Sequence, residues 1–249
     1  MKFYYMSDLH YDINGQAIYD LEKPKDASES TLLLAGDLYS KGRSVEVAEH
    51  FAHFYKYVVW VCGNHCYYWL AIHETHKFQS DLPNVFWLEN KTIDIEGIKI
   101  FGCTLWHPLD VESDVWWRYY MNDPRLIRGA NWSRLRWQDI NLKHEESLYT
   151  IANSNADILL THHGLTNLSV CDKFKGKLTN KFYISEHPEL LRKFKHYIHG
   201  HVHNSVEVEV EGCQVHCNPH GYNTKLVDNS ILMENPTFSS LKYFEINKE

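Results

Sequence analysis

The chain has 249 residues, 44% hydrophobic and 23% charged, a balance that suits one large domain or two small ones and excludes a disordered chain. Its formal net charge is −7 with histidine neutral, the wrong sign for holding a polynucleotide by bulk electrostatics. The longest uninterrupted apolar run, Cys66 to Ile72, has seven residues, too few to cross a bilayer, and the first ten residues do not read as a secretion signal.

Short apolar runs recur along the chain, and each leads into a polar cluster. Phe3–Met6 leads to Ser7, Asp8, Leu9 and His10. Leu32–Ala35 leads to Gly36 and Asp37. Tyr57–Cys62 leads to Gly63, Asn64 and His65. Ile158–Leu160 leads to Thr161, His162, His163 and Gly164. Tyr197–Ile198 leads to His199, Gly200, His201, Val202 and His203. Runs of this length, apolar on both faces, predict buried strands. Helical spacing lies between them: Val45, Ala48, Phe51 (or Ala52) and Tyr55, then Trp137, Ile140, His144, Leu148 and Ile151. The alternation predicts a largely parallel sheet. A second strand-rich set comprises a hairpin turning at Glu96-Gly97, another at Glu211-Gly212, and a last strand over residues 241–246. The expected fold is α/β, two packed sheets with helices outside, in one domain over 1–249.

Residues 106–137 break the pattern. They hold five of the eight tryptophans and five of the seven arginines, and they read as an insertion capping the strand ends. The six cysteines read as reduced thiols of a cytoplasmic protein.

Histidine is the outlier, with 17 copies. Five predicted strands end in metal-competent side chains: Asp8, His10, Asp37, Asn64, His65, His162, His163, His201 and His203. In open α/β sheets, ligands bind at the carboxyl ends of strands. A mix of carboxylate, imidazole and amide oxygen suits manganese, iron, cobalt, nickel or zinc, and no thiolate points to a structural zinc site. Nine candidates exceed the needs of one ion and favour two, with Asp37 as the natural bridge. Two divalent ions against two carboxylates and a hydroxide would leave a net charge of about +1, an anion trap for phosphate.

The order Asp8-x-His10, Gly36-Asp37, Gly63-Asn64-His65, His162 and Gly200-His201-x-His203 resembles the calcineurin-like metallophosphoesterase superfamily. Cys217-Asn218-Pro219 with Gly221-Tyr222 is similar to a subgroup of its bacterial and phage members. The resemblance implies a four-layer αββα sandwich of two mixed sheets flanked by helices. It implies that Asp8, His10 and His203 bind one ion, that Asn64, His162 and His201 bind a second, and that Asp37 bridges them. His65 would contact the phosphoryl oxygen or protonate the leaving oxygen. One position departs from the pattern: the acid usual after the Asn-His pair is Cys66 here.

The expected activity is hydrolysis of a phosphate ester by a bridging hydroxide, with two divalent ions as cofactor, manganese foremost. The substrate would be a small phosphorylated molecule, nucleotides included, as monoester or diester. A nuclease and a non-catalytic binding scaffold are the alternatives. Arg118, Arg125, Arg128, Arg134 and Arg136, with Trp116, Trp117, Tyr119, Tyr120 and Trp132 among them, could fork onto phosphate and stack a base, Arg118, Arg125 and Arg128 foremost. His163 and His220 are further candidates for substrate contact, and Lys173, Lys175, Lys177 and Lys181 form a second candidate wall.

Overall fold

The computed structural model describes residues 1–228 and 230–247. The five apolar runs form strands β1 (Lys2–Met6), β2 (Thr31–Ala35), β3 (Tyr57–Val61), β7 (Ile158–Thr161) and β8 (His196–His199). The predicted hairpins are β5 (Lys91–Ile95) with β6 (Ile98–Cys103), and β9 (Val206–Val210) with β10 (Cys213–Cys217). The last predicted strand is β13 (Tyr243–Glu245). Three short strands escape the sequence reading: β4 (Val85–Trp87), β11 (Asn223–Lys225) and β12 (Ile231–Met233). Three residues cannot establish a period of two, and β11 and β12 pair only with each other, largely exposed.

One sheet runs β13-β1-β2-β3-β4, parallel except where β13 joins β1. The other runs β5-β6-β7-β8-β10-β9, parallel in its centre and antiparallel at both edges. Alternation along the strands sets the layers. Phe3, Tyr5, Leu33, Ala35, Val59 and Val61 from the first sheet meet Ile100, Ile158, Leu160 and Ile198 from the second. The opposite faces meet helices. Tyr4, Met6, Leu32, Leu34 and Trp60 pack with Val47, Ala48 and Phe51 of α2 (Ser44–Ala52). Phe101, Cys103, Leu159 and Tyr197 pack with Ile151 of α5 (Trp137–Asn153). Each fully buried Val, Leu, Ile or Phe contributes about 1.5–3 kcal/mol relative to exposure. The strands are therefore clamped on both faces, and their carboxyl ends are fixed relative to one another.

Among the described residues the remaining α-helices are α1 (Tyr11–Asn14), α3 (Val111–Tyr120) and α4 (Asp123–Leu126). The last two lie within residues 106–137, where Trp106, Trp117, Ile127 and Leu135 bury completely against the outer face of the first sheet. Asp110 caps α3 by accepting from the Ser113 amide at 2.6 Å, while the Ser113 hydroxyl accepts from the Asp110 amide at 2.7 Å.

Candidate metal centre

The loops after β1, β2, β3, β7 and β8 converge. Their backbones interlock before any side chain is considered: the Asp8 amide donates to the Gly36 carbonyl at 3.0 Å, and the His10 amide to the Asp37 carbonyl at 2.9 Å. Asp8, His10, Asp37, His201 and His203 all adopt left-handed backbone, with φ of 52°, 44°, 53°, 68° and 48°. That conformation costs a non-glycine residue roughly 1–2 kcal/mol, and such strain concentrates at functional sites. Two glycines make the approach possible. A Cβ on Gly63 would run into the Asp37 carboxylate and the His162 ring, and Gly36, at φ +88°, would meet His162 in the same way.

The side chains form overlapping groups. Asp8, Asp37, His162 and His201 can offer ligand atoms within 4.8 Å of one another; so can Asp8, His10 and His203, and so can His10, Asp37 and His65. Asp8 and Asp37 are thus both shared, where the residue pattern singled out Asp37 alone. His162 Nε2 lies 3.3 Å from Asp37 Oδ2, 3.2 Å from His201 Nδ1 and 3.2 Å from Asn64 Oδ1. His203 Nε2 lies 3.2 Å from Asp8 Oδ1 and 3.3 Å from His10 Nε2. His162 is held from behind by Nδ1, 2.8 Å from the Ala35 carbonyl.

The electrostatics are unusual for a protein interior. Asp8 and Asp37 are almost completely buried, and among the described residues their ion-pair partners are all imidazoles, with no Lys or Arg. Burial alone would raise Asp8, yet His203 outweighs it and the carboxyl is lowered. Burial opposes the same shift at Asp37, where His162 and His65 prevail and hold it well below its ordinary value. Conversely, burial would lower His162 and His203, but Asp37 lifts the first to about 9 and Asp8 lifts the second to about 10. Burial drives His10 down to about 3 and His201 well below its ordinary value, the latter helped by the adjacent imidazoles of His163 and His162. A cluster that demands this much positive charge and offers carboxylate, imidazole and amide oxygen fits divalent first-row cations.

The cluster floors a cleft of about 290 Å³. Asp37, Asn64, His65, His201 and His203 reach its surface. His65 stacks on Tyr68 at 4.2 Å between centroids, and its Nε2 lies 3.4 Å from the Tyr222 hydroxyl. The walls come from Tyr120, Met121 and Asn122, between α3 and α4, and from Val170, Phe174, Asn180 and Tyr183.

Arg118, Arg125, Arg128, His163 and His220, the expected substrate contacts, do not line the cleft. Arg118 is turned to Asp114, one helical turn back, at 2.8 Å, and Arg125 caps the carbonyls of Arg118 and Tyr119 at 3.0 Å. Arg128 is exposed, and its backbone joins Leu70. His163 is fully buried with Nδ1 3.2 Å from the Thr104 carbonyl, and His220 is buried against Asn14. Of the aromatic residues proposed for stacking, Trp117 is completely buried and only Tyr120 lines the cleft. Lys175, Lys177 and Lys181 line a neighbouring groove, while Lys173 and Lys177 sit 4.7 Å from the Phe174 ring at the rim. Cys62 and Cys66 are free, buried thiols, and Cys66 Sγ accepts from the Gly63 amide at 3.3 Å.

Two acids at the site carried no motif. Asp123 accepts from Asn64 Nδ2 at 2.8 Å and from the Tyr68 hydroxyl at 3.0 Å, and Glu234 lies 2.7 Å from His203 Nδ1. Their only sequence signal is charge within otherwise mixed segments.

The calcineurin-like phosphoesterase family model matches residues 1–205, and the chain belongs to that family. It is accordingly a metal-dependent phosphoesterase, a hydrolase that uses divalent metals. Among solved structures it is similar to phosphopantetheinyl hydrolase from Mycobacterium tuberculosis, with 13% identity, TM-score 0.70 and 89% of each chain covered. It is also similar to a putative 5'-nucleotidase from Staphylococcus aureus, with 14% identity and TM-score 0.50, over 93% of this chain and 52% of that one. At these identities the likeness speaks for the fold alone. No curated protein sequence matches the chain. Among the described residues no helix is long and apolar enough to cross a membrane.

Proposed function

We propose that the cleft holds two divalent cations, manganese foremost, and hydrolyses small phosphomonoesters or phosphodiesters, nucleotides among them. The observation that carries this reading is the sharing of Asp8 and Asp37 between adjoining ligand groups at the floor of one cleft. Asp8, His10 and His203 would hold one ion, Asn64, His162 and His201 the other, and Asp37 would serve both. When bound, the pair of cations supplies a nucleophilic hydroxide near neutral pH and neutralises charge on the phosphoryl oxygens.

The chain's own residues do the rest. Asp8 and Asp37 fix the charge of the floor. His65, at the surface of the cleft and braced by Tyr68 and Tyr222, donates a proton to the leaving oxygen. The walls exclude water and hold the leaving group by aromatic faces (Tyr120, Phe174, Tyr183) and carboxamides (Asn122, Asn180). No Lys or Arg lines the cleft among the described residues, which favours a small substrate over a polynucleotide. The insertion acts as part of a single domain with the sandwich, and the protein works in the cytoplasm.

The test is a manganese-loaded screen against monoesters, diesters and cyclic nucleotides beside an Asn64→Ala control. Metal-dependent turnover that the control loses while staying folded supports the reading. Turnover indifferent to chelation, or none with any ester, refutes it.

A further inference from the structure

We propose that Asp123, brought in by the insertion, is a positioning residue that fixes which end of the Asn64 carboxamide faces the ion cluster. The inference rests on the two-cation reading of the cleft.

A carboxamide has a donating and an accepting end of nearly the same shape, and only the oxygen can ligate a cation. Something must therefore break the tie at Asn64. Its Oδ1 lies 3.2 Å from His162 Nε2, among the ligand atoms, while Nδ2 donates to Asp123 Oδ1 at 2.8 Å. Asp123 is completely buried, and the same Oδ1 also accepts from the Tyr68 hydroxyl at 3.0 Å. Among the described residues its other oxygen, Oδ2, is buried with no hydrogen-bond partner, so the donors of Asn64 and Tyr68 are what hold the carboxyl in place. A carboxylate oxygen accepts and cannot pair with the oxygen end of an amide. Flipping Asn64 would set oxygen against oxygen at Asp123 and turn toward the ligand cluster the amide end that cannot hold a cation.

The local chain does not supply this group. Cys66, two residues after Asn64, takes the Gly63 amide with its sulfur and makes no contact of this kind. The acid comes instead from α4, whose first residue is Asp123, at a distance of 59 residues along the chain. The insertion thereby does more than wall the cleft: it sets the register of one ligand.

Titration calorimetry of the metal-stripped full chain with Mn²⁺ tests this directly. Wild type is expected to bind two ions. Asp123→Ala should lose about 10–100-fold in affinity for one ion and leave the other close to wild type. Adding Asn64→Asp to that variant should restore the lost affinity, because a carboxylate offers oxygen at both ends and needs no orienting partner. A merely structural role for Asp123 would not be rescued in this way. If Asp123→Ala does not fold, Asp123→Asn takes its place, since an amide at 123 no longer dictates the orientation of Asn64, and the same rescue is expected. A folded Asp123 variant that binds both ions like wild type overturns the inference, as does failure of Asn64→Asp to restore affinity. If wild type itself binds no ion, the two-cation reading falls; if wild type binds two and the Asp123 variant matches it, only the role of Asp123 falls.

Discussion

His203 Nδ1 lies 2.7 Å from Glu234 Oε2, while the opposite nitrogen of the same ring lies 3.2 Å from Asp8. Burial would raise the Glu234 carboxyl, but the hydrogen bond from His203 lowers it below its ordinary value. The contact fixes the ring's orientation and leaves Nε2 facing Asp8 and His10. A carboxylate behind an imidazole ligand typically accounts for 10–100-fold in metal affinity or activity. Glu234→Ala is therefore expected to raise the manganese concentration that half-activates the enzyme by about 10-fold or more. Unchanged manganese activation would show that the pair does not tune this ligand.

His65 sits at the surface of the cleft, stacked on Tyr68 and with its ring 4.6 Å from that of His10. If it protonates the leaving oxygen, His65→Gln should cut turnover of an alkyl phosphate by about 10²–10⁴-fold. An aryl phosphate with an acidic phenol leaving group should suffer much less, because it departs without a proton. Equal losses on both substrates would assign His65 to binding instead.

The imidazoles make a prediction about stability. Burial lowers His107 to about 3 and both His144 and His199 to about 4, from an ordinary 6.5. Below pH 6.5 the unfolded chain takes up protons that the folded chain does not, so their contribution is lost as pH falls through that window, at up to about 1.4 kcal/mol per pH unit for each group. His162 and His203 have the opposite sign: raised to about 9 and about 10, they contribute below pH 6.5 and that contribution is lost as pH rises toward those values. In excess chelator, Tm should peak near the ordinary imidazole value of 6.5 and decline on both sides. A Tm flat from pH 5 to about 9 would contradict the shifts.

Manganese should then flatten the alkaline limb. Metal displaces protons from imidazole ligands, so binding to His162 and His203 removes the reason for the alkaline decline. At a concentration of about 100 times Kd, one bound ion adds about 2.7 kcal/mol, so Tm should also rise wherever the ion binds, near neutral pH included. Loss of the acid limb on adding manganese, with the alkaline limb intact, would place the ion elsewhere.

The layers of the fold were legible because strands apolar on both faces leave few alternatives, and the ligand-bearing loops follow directly from strand ends. Asp8, Asp37, Asn64 and the histidines of the cluster each sit within four residues of such an end, so the strand ends bring them together in space. Asp123 and Glu234 had no such marker: each reaches the site from a segment whose placement depends on tertiary packing. The arginines misled for the complementary reason. Five of them cluster in residues 106–137, but Arg118 finds Asp114 and Arg136 finds Asp139 within one helical turn, so local pairing settles these two before the cleft can. Trp117 likewise serves the core, where its completely buried ring is worth more than at a wet wall.

The central claim is that five loops cage two cations between shared carboxylates. Anomalous diffraction from crystals soaked in manganese measures this most directly. Two peaks are expected about 3.5–4 Å apart, with Asp37 reaching both. A single peak away from Asp37, or none among Asp8, Asn64, His162 and His203, would contradict it.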